Sequence, residues 1–251
     1  MVSKNQIKLI TSLQHKKYRI EHQMFIAEGV KVVQELLASN FVLEHLFETD
    51  AIFEQVSNSQ KTSIKEQDMK RITALNTASS CLAIFKIPSP AKIISNGLII
   101  ALDDIRDPGN LGTIIRLCDW FGVRQLLCSV ETVDAYNPKV IQATMGSITR
   151  VNINYVDLKD YILHSSLPVF GTFMDGKNIY KENLPKEAII ILGNEANGIS
   201  ASLEKSIKNR IAIPRFPSVV GDASCDNIQK TESLNVATAA AIFLSEFRRN
   251  A

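Results

Sequence analysis

Short apolar segments alternate with amphipathic helical segments after residue 91, and this alternation constrains the fold more than any other feature of the sequence. Residues 111–121 and 234–247 show the clearest helical spacing. The apolar segments have the length of strands and occupy residues 98–102, 125–130, 151–155, 169–172, 188–192 and 211–213. A strand that is apolar throughout is buried on both faces, as in a parallel sheet. The pattern predicts an α/β fold with a parallel sheet covered by helices on both faces.

A proline-containing stretch at residues 87–92 separates this part of the chain from what precedes it. Its two prolines remove backbone donors and restrict their neighbours, so neither a helix nor a strand continues through it. Before it, helical segments at 29–37 and 65–74 alternate with apolar runs at 43–47 and 82–85. We therefore predict two domains, a small α/β domain over residues 1–90 and the larger one over residues 91–251.

Composition excludes several classes of protein. The apolar runs are far shorter than the roughly 20 residues of a membrane helix, and the N-terminus has no pattern of a secretory signal, so we expect a cytoplasmic protein. The four cysteines form no CxxC pair and the four histidines no HExxH motif, which predicts neither a zinc site nor a disulfide framework. A net charge of +2 is too small to indicate nucleic-acid binding, so any such signal has to be local.

The first segment that carries chemistry spans residues 101–116, a strand followed by a turn and a helix start. Asn110 is a good N-cap for this helix. Apolar residues recur at helical spacing from Leu111 onwards, which places Arg116 on the opposite, outward side. Taken alone, the segment is also compatible with an ordinary cap and a solvated arginine.

The second segment spans residues 188–200, a buried strand followed by a polar turn. Gly193 and Gly198 on either side of the turn would let backbone approach a ligand, with Glu195 at the same edge. The glycine spacing is faintly similar to a P-loop, but Ile199-Ser200 stands where Lys-Ser/Thr is required, which disfavours a nucleotide-dependent P-loop enzyme. The alternative is a plain turn with a surface glutamate.

The third segment joins Ile213-Pro214 to residues 232–237, which open the last helix. Ser233 is the expected cap of that helix, and Asn235 would lie in its first turn among exposed backbone donors. Simple capping is the alternative interpretation of this segment.

In this order, the three segments resemble the SpoU-type (TrmH-like) branch of the SPOUT methyltransferases. The matching text is Asp107-Pro-Gly-Asn-Leu-Gly-Thr-Ile-Ile-Arg116, then Leu192-Gly-Asn-Glu-Ala-Asn-Gly-Ile199, then Ile213-Pro214 with Glu232-Ser-Leu-Asn-Val236. The resemblance spans about residues 97–248. Residues 25–37 resemble the small α/β (L30e-like) substrate-binding domain that often precedes the SPOUT domain.

This resemblance implies a parallel sheet whose end is threaded into a deep trefoil knot, with S-adenosylmethionine bound in the knot. Carried over by motif position, the cofactor-binding residues are Thr172, Leu192, Gly193, Ile213 and Leu234. The catalytic residues are Asn110, Arg116, Glu195, Ser233 and Asn235. Family members usually pass from the Ile-Pro pair to the Ser-Leu-Asn turn within a few residues. In this chain residues 215–231 intervene, inside the expected cofactor loop.

A basic stretch near the N-terminus is the local signal for RNA. Lys16, Lys17 and Arg19 surround Tyr18, and such patches contact phosphates while the aromatic ring stacks on bases. A solvated helix face is the commoner meaning of a short charge run, but the resemblance favours RNA contact.

The sequence therefore predicts an S-adenosylmethionine-dependent RNA 2′-O-methyltransferase that needs no metal and acts as a homodimer. Ribosomal RNA is the favoured substrate. Transfer RNA stays open, as does a non-catalytic RNA-binding or ribosome-assembly protein of the same fold. Arg116 acts either as a base or, more in keeping with a guanidinium, as a clamp on a phosphate.

Overall fold

The computed structural model describes residues 2–216 and 233–249, and its helices and strands lie within those ranges. Two short 3₁₀ helices lie at Ser147–Thr149 and Ile179–Lys181. The α-helices are α1 (Lys4–Ser12), α2 (Lys16–His22), α3 (Val30–Leu37), α4 (Glu66–Ile72), α5 (Pro108–Trp120), α6 (Pro138–Thr144), α7 (Leu158–His164), α8 (Ala201–Glu204) and α9 (Val236–Arg248). The strands are β1 (Met24–Glu28), β2 (Leu43–Glu48), β3 (Lys61–Ser63), β4 (Cys81–Lys86), β5 (Leu98–Leu102), β6 (Gln125–Cys128), β7 (Asn152–Tyr155), β8 (Val169–Asn178), β9 (Ala188–Leu192) and β10 (Asn209–Ala212).

The N-terminal strands form a four-stranded sheet in the order β1-β4-β2-β3. β4 pairs antiparallel with β1 and β2, and β2 pairs parallel with β3. A capping box between Ser3 and Gln6 starts α1, the first of the helices that cover the sheet core. The core of this part consists of apolar residues that are at most 6% exposed: Val2, Ile10, Leu13, Ile26, Phe47, Ile64, Met69, Ile72, Leu82 and Ile84.

The later strands form a six-stranded sheet in the order β10-β8-β9-β5-β6-β7. The pairs β10–β8, β8–β9, β9–β5 and β5–β6 are parallel, as the alternation of apolar strands and helices predicts. All residues of β5, β6 and β9 are buried, which confirms that these strands are covered on both faces. One apolar cluster on this sheet contains Ile99, Ala101, Leu127, Leu158, Ile162, Ile189, Ile191, Ile199, Leu203 and Ile207.

The helix after β5 begins three residues earlier than a cap at Asn110 would allow. α5 starts at Pro108, and Asn110 lies in its first turn, where its backbone N–H donates to Oδ1 of Asp107 at 2.8 Å. The prediction that Asn110 caps this helix is therefore wrong, because Asp107 accepts the bond that an N-cap accepts and Pro108 occupies the first helical position. Arg116 is exposed on the side opposite the buried Leu111 and Ile115, as the helical spacing predicted.

Gly112 on α5 allows that helix to lie very close to α6. A Cβ at this position would stand 2.4 Å from the Cβ of Ala143 and 2.9 Å from the carbonyl oxygen of Val140. Those distances are below any real Cβ contact, so only glycine fits between the two helices.

The described thiols are structural. Cys81, Cys118 and Cys128 are buried and none forms a disulfide. Burial raises the pKa of the Cys81 thiol to about 11 and also raises the pKa of Cys118. Both groups are therefore protonated at neutral pH and behave as small apolar side chains. Cys225 lies outside the described residues.

The chain divides into two compact units that do not coincide with two continuous halves. The first contains residues 1–92, 107–119 and 133–152, and the second contains residues 93–106, 120–132 and 153–251. The first unit thus includes two stretches that the sequence patterns assigned to the larger domain. The division at residue 90 stays a prediction about how the chain is built from domains.

A buried arginine joins two stretches of the first unit. Arg19 on α2 is 2% exposed, and its Nε donates to Oδ2 of Asp134 at 2.8 Å while its Nη2 lies 2.6 Å from the same oxygen. Its Nη1 donates to the carbonyl oxygens of Leu13 and Gln14, each at 2.9 Å. The prediction that Arg19 contacts RNA is therefore wrong, because its guanidinium is buried and already bound within the protein.

A second ion-pair group links three segments of the same unit. Arg150 donates through Nη1 to Glu35 on α3 at 2.6 Å and through Nε to Asp119 on α5 at 2.8 Å. Close to it, a Cβ at Gly146 would lie 2.5 Å from the Cβ of Glu35. Gly146 also has φ +96°, so both its backbone conformation and the close approach of α3 favour glycine.

The knot that the resemblance implies concerns the path of the chain between β10 and α9. Residues 217–232 of that path lie outside the described residues, as does most of the 215–231 insertion. The knot and the effect of the insertion on the cofactor loop stay predictions. In the described part of the chain, no helix is long and apolar enough to cross a membrane.

Asp134→Ala should destabilise the first unit strongly, because it leaves the buried Arg19 charge without its carboxylate. Removing one partner of a buried pair costs about 3–5 kcal/mol. We expect a loss near the lower end of about 3 kcal/mol in the free energy of unfolding, measured by urea denaturation, because the Asp134 side chain is 15% exposed. Asp134→Asn keeps a hydrogen-bond acceptor but removes the negative charge, so the difference between the two variants separates the hydrogen bond from the charge. Equal stability of Asp134→Ala and the wild type would contradict the anchoring role of Arg19.

Candidate active site at the carboxyl edge of the sheet

The carboxyl ends of β5 and β9 lie side by side and carry the polar turns. The two strands pair in parallel up to Leu102 and Leu192, and the N–H of Asp103 extends the ladder by donating to the carbonyl of Leu192 at 2.9 Å. In the same row, the N–H of Ser129 after β6 donates to the carbonyl of Leu102. Polar loops that follow neighbouring parallel strands meet at this edge, where α/β folds bind ligands.

The turn after β9 is closed on itself by backbone bonds. Asn194 and Gly198 exchange two backbone hydrogen bonds of 3.0 and 2.8 Å, and Oδ1 of Asn194 accepts the N–H of Ala196. A Cβ at Gly193 would stand 2.2 Å from the carbonyl carbon of Gly198, so the two ends of the turn touch. Glu195 is exposed at its tip. Glycine at 193 is thus required by the close contact within the turn, in addition to any approach of a ligand.

Two aspartates after β5 hold this turn. Oδ2 of Asp103 accepts the N–H of Ser200 at 2.7 Å, and the backbone carbonyl of Asp104 accepts a bond from Nδ2 of Asn194, also at 2.7 Å. Asp103 is 7% exposed, so its bond to Ser200 is shielded from water. The sequence motifs did not point to either residue. The feature of the sequence that could have indicated Asp103 and Asp104 is the position of two adjacent acidic residues directly after a fully buried strand.

Asp104 adopts a left-handed conformation that few residues other than glycine tolerate. Its φ is +57°, its N–H donates to Oγ of Ser129, and its carboxylate holds Arg106 through two bonds of 2.8 Å. Aspartate is among the residues that accept this region of backbone space most readily. This conformation turns the Asp104 carbonyl towards Asn194. The loop after β5 thereby supports the turn after β9.

Thr172 begins an irregular section of β8. Arg210 of β10 pairs with Gly171, whereas the next residue, Ile211, pairs with Lys177. The residues between Gly171 and Lys177 are therefore unpaired with β10, and Oγ1 of Thr172 donates to the carbonyl of Ile191 in β9 at 3.1 Å. This bond holds Thr172, one of the predicted cofactor-binding residues, beside the carboxyl end of β9.

Arg210 braces this irregular section. Its guanidinium lies 3.6 Å from the centroid of the Phe173 ring and contacts Asp175 and Glu204, each at 2.6 Å. The hydrogen bond from Arg210 holds the pKa of Asp175 below its usual range. Asp175 is a surface group, so solvent screens its ion pair with Arg210. The close contact of the guanidinium with the face of Phe173 is a separate cation–π interaction.

The start of α9 differs from the prediction in one respect. Oδ1 of Asn235 accepts the N–H groups of Ala237 and Thr238 at 2.9 and 3.2 Å, so Asn235 is the N-cap. The prediction that Ser233 caps this helix is wrong, because α9 begins at Val236 and Ser233 lies two residues before the cap. Ser233, Leu234 and Asn235 are all exposed, Leu234 by 47%.

The predicted site residues fall into both compact units. The second unit contains Thr172, Leu192, Gly193, Glu195, Ile213, Ser233, Leu234 and Asn235. The first unit contains Asn110, Arg116, Lys16, Lys17 and Arg19. Within the second unit, Thr172 is bonded to Ile191, next to Leu192 and Gly193 at the carboxyl end of β9. Lys16 and Lys17 are exposed on α2. Among the described residues, no three histidine, cysteine, aspartate or glutamate side chains form a group that could hold a metal ion.

Comparison with protein families gives two matches that together span most of the chain. Residues 97–245 match the model of the SpoU rRNA Methylase family. Residues 4–83 match the MRM3-like substrate binding domain. The interval between the two matches contains the proline stretch at residues 87–92.

Curated relatives and solved structures agree with these matches. The chain is 29% identical to the 23S rRNA (guanosine(2553)-2′-O)-methyltransferase RlmP of Bacillus subtilis, over 98% of this chain and 97% of that protein. It is 37% identical to a structure assigned to the TrmH family of RNA methyltransferases from Porphyromonas gingivalis, with a TM-score of 0.88 and full coverage of both chains. An AdoMet-bound rRNA methyltransferase from Sinorhizobium meliloti superposes with a TM-score of 0.83 at 28% identity, over 99% of this chain and 97% of that one.

Asp103→Ala should loosen the turn that carries Glu195. Losing a buried hydrogen bond to a charged group costs about 1.5–3 kcal/mol, so amide exchange in residues 193–200 should accelerate at least about tenfold. Hydrogen exchange followed by mass spectrometry measures this, with Asp103→Asn as the control that keeps an acceptor. Unchanged exchange at Ser200 in the alanine variant would show that Asp103 does not hold the turn.

Proposed function

Because this chain belongs to the SpoU rRNA methylase family, we propose that it transfers a methyl group from S-adenosylmethionine to a ribose 2′-hydroxyl of ribosomal RNA. The observation that carries the proposal is the turn Gly193–Ser200, bound to Asp103 and Asp104 at the carboxyl edge of a parallel sheet. This is the place in an open α/β sheet where ligands bind. We expect the protein to work in the cytoplasm, where ribosomal RNA is accessible.

The residues proposed for the cofactor suit S-adenosylmethionine. Leu234 and the partly buried Ile213 offer aliphatic surface, and Gly193 offers backbone polar groups directly after Leu192, the last residue of β9. Neutral aliphatic and backbone groups suit the face and the edge of an adenine ring. Thr172 is held beside Ile191 in the neighbouring strand. We propose that these five residues hold the cofactor.

When bound, S-adenosylmethionine supplies an electrophilic sulfonium methyl group. The protein then has to place the ribose oxygen in line with that methyl and help the hydroxyl to lose its proton, so positioning does most of the work. We propose that Asn110 and Asn235 orient the ribose and the methyl donor, and that Ser233 takes part in catalysis. Glu195 would accept a hydrogen bond from a polar group of the substrate.

Arg116 is proposed to clamp a phosphate of the RNA next to the target ribose. It is exposed on α5, on the side away from the residues that this helix buries. A guanidinium offers several donors in a fixed plane, which match phosphate oxygens, and it is a poor base at neutral pH. This favours electrostatic and geometric help over proton abstraction.

Relatives favour ribosomal over transfer RNA as the substrate. RlmP of Bacillus subtilis and the 23S rRNA (guanosine-2′-O-)-methyltransferase RlmB of Neisseria meningitidis are both named for 23S rRNA. RlmB is 29% identical over 61% of this chain and 58% of its own length. The match to a substrate-binding domain over residues 4–83 supports a separate part of the chain that binds RNA. There, the exposed Lys16 and Lys17 are the proposed phosphate contacts.

A second copy of the chain is the proposed protein partner. Trp120, one helical turn after Arg116 on α5, is 84% exposed. An exposed tryptophan is typical of the centre of a protein interface, and isologous dimers are the commonest assembly. We propose that a homodimer covers Trp120 and leaves Arg116 beside the partner.

Arg116→Ala should abolish methyl transfer while the cofactor still binds. Removing a group that stabilises charge in the transition state costs about 100-fold or more in kcat. Transfer of labelled methyl groups to in vitro transcribed 23S rRNA measures the rate, and calorimetric titration with EDTA present measures cofactor affinity. Arg124→Ala removes another exposed arginine and is the matched control. A folded wild-type protein that binds no S-adenosylmethionine, or binds it and transfers no methyl group, would overturn the proposed function.

The dimer gives a separate prediction. Light scattering should report a mass near twice the 27.9 kDa of the chain. Trp120→Glu should shift the mass towards the monomer, because a charge would be buried unpaired at the interface. Leu163→Glu changes another exposed apolar residue, 62% exposed on α7, and should leave the dimer intact. A wild-type monomer at micromolar concentration with full activity would contradict the dimer.

A further inference from the structure

The one buried side chain of the short helix α2 is polar. Of its seven residues, only Arg19 is buried. The exposed residues include Lys16, Lys17 and Tyr18, as well as Ile20 at 57% exposure. An amphipathic helix usually buries its apolar residues, whereas α2 exposes Ile20 and buries Arg19. The attachment of α2 thus leaves its other side chains available to a partner.

The hydrogen bonds of Arg19 also fix the rotation of α2 about its axis, and so which of its side chains are exposed. The guanidinium makes two contacts with Asp134 and donates to the carbonyls of Leu13 and Gln14 in the turn before the helix. A planar guanidinium with four directional contacts restricts rotation of the helix more than an apolar contact would. The exposed side chains of α2 are therefore presented in a defined orientation, which lowers the entropy lost on binding.

Tyr18 stands at the centre of this exposed face. It is 37% exposed, and its ring centroid lies 6.5 Å from those of both His15 and His22. The Tyr18 and His22 rings are inclined by only 20°, and Nζ of Lys17 lies 5.7 Å from the Tyr18 centroid. We call His15, Lys17, Tyr18 and His22 the Tyr18 platform.

The chemistry of the platform suits a nucleobase next to its phosphate. An aromatic face stacks on any base, and a lysine ammonium contacts the backbone phosphate. The carboxylate of Glu21 on the same helix would repel a phosphate, but Lys16 and Lys17 leave α2 with an excess of positive charge. The face of a base is accessible only where the RNA is unpaired, because bases in an A-form helix are stacked on each other.

We propose that the Tyr18 platform stacks an unpaired base of the substrate RNA, while Lys16 and Lys17 contact the adjoining phosphates. The proposal rests on the proposed function in that the substrate is RNA. It assigns two separate roles to the basic stretch, an internal anchor at Arg19 and a base-stacking surface around Tyr18. It also predicts that the protein prefers single-stranded to double-stranded regions.

The test uses the full chain and a fluorescein-labelled, mixed-sequence 20-nucleotide RNA, alone and annealed to its complement. Fluorescence anisotropy should show tighter binding of the single strand by the wild type. Tyr18→Ala should weaken single-strand binding roughly tenfold, the usual loss for one stacked base, and should affect duplex binding little. Tyr18→Phe keeps the ring and should bind as the wild type does. Ile20→Ala, an exposed neighbour on the same helix, is the matched control and should also bind normally.

Lys17→Ala separates charge from stacking. It should weaken binding of both RNA forms and reduce the salt slope of log K by about one, whereas Tyr18→Ala should leave that slope unchanged. Thermal melting by circular dichroism checks that each variant is folded.

Three results with the variants would overturn the platform. They are single-strand binding of Tyr18→Ala equal to wild type, an equal loss in Tyr18→Phe, and an equal loss in Ile20→Ala. A wild-type protein that binds neither RNA form overturns it as well. Methyl transfer is measured separately, so a failed platform with an intact transfer rate leaves the proposed function standing. If the RNA-binding results agree with the platform but the protein transfers no methyl group, the proposed function is contradicted and the platform is not.

Discussion

The parallel pairing of β5 with β9 is the constraint on which the candidate site depends. It carries both strands to the same edge and places the N–H of Asp103 on the carbonyl of Leu192. From there, the Asp103 carboxylate reaches Ser200 and the Asp104 carbonyl reaches Asn194. The turn that carries Glu195 is therefore held by residues outside it, the two aspartates that follow the neighbouring strand β5. Pre-organised polar groups of this kind need not be ordered again when a ligand binds.

In the first unit, the buried Arg19 is the corresponding structural constraint, because it joins separate segments of the chain. Its contacts with Asp134 join α2 to a stretch more than a hundred residues later in the chain. Phe25 of β1 lies 5.0 Å from the Tyr136 ring in the same stretch, and burial raises the pKa of Tyr136. This unit is thus assembled from segments that lie on both sides of the proline stretch. Such a buried ion pair is often no more stabilising than a well-packed apolar contact, but removing one of its partners leaves an uncompensated charge in the junction.

Much of the fold followed from local patterns. The predicted strand at 98–102 coincides with β5, that at 188–192 with β9, and the outward position of Arg116 is confirmed. β8 was predicted only as residues 169–172, because the polar residues around Asp175 break the apolar run. Its continuation to Asn178 depends on pairing with β10 and on Arg210, which lies against Phe173 and Asp175. Such pairing is non-local, and the sequence of one strand does not contain it.

The sequence by itself determined the alternation of buried strands and helices, the three ordered motifs and the family they indicate. Period and composition carry that information because apolar residues have to be buried wherever they occur. The tertiary structure decided which polar groups are used inside the protein. It made Asp107 and Asn235 the helix caps, Asp103 the support of the β9 turn, and Arg19 an internal anchor. A buried arginine and a solvated one look alike in a sequence. Only the position of an acceptor such as Asp134 decides whether desolvating the charge is compensated.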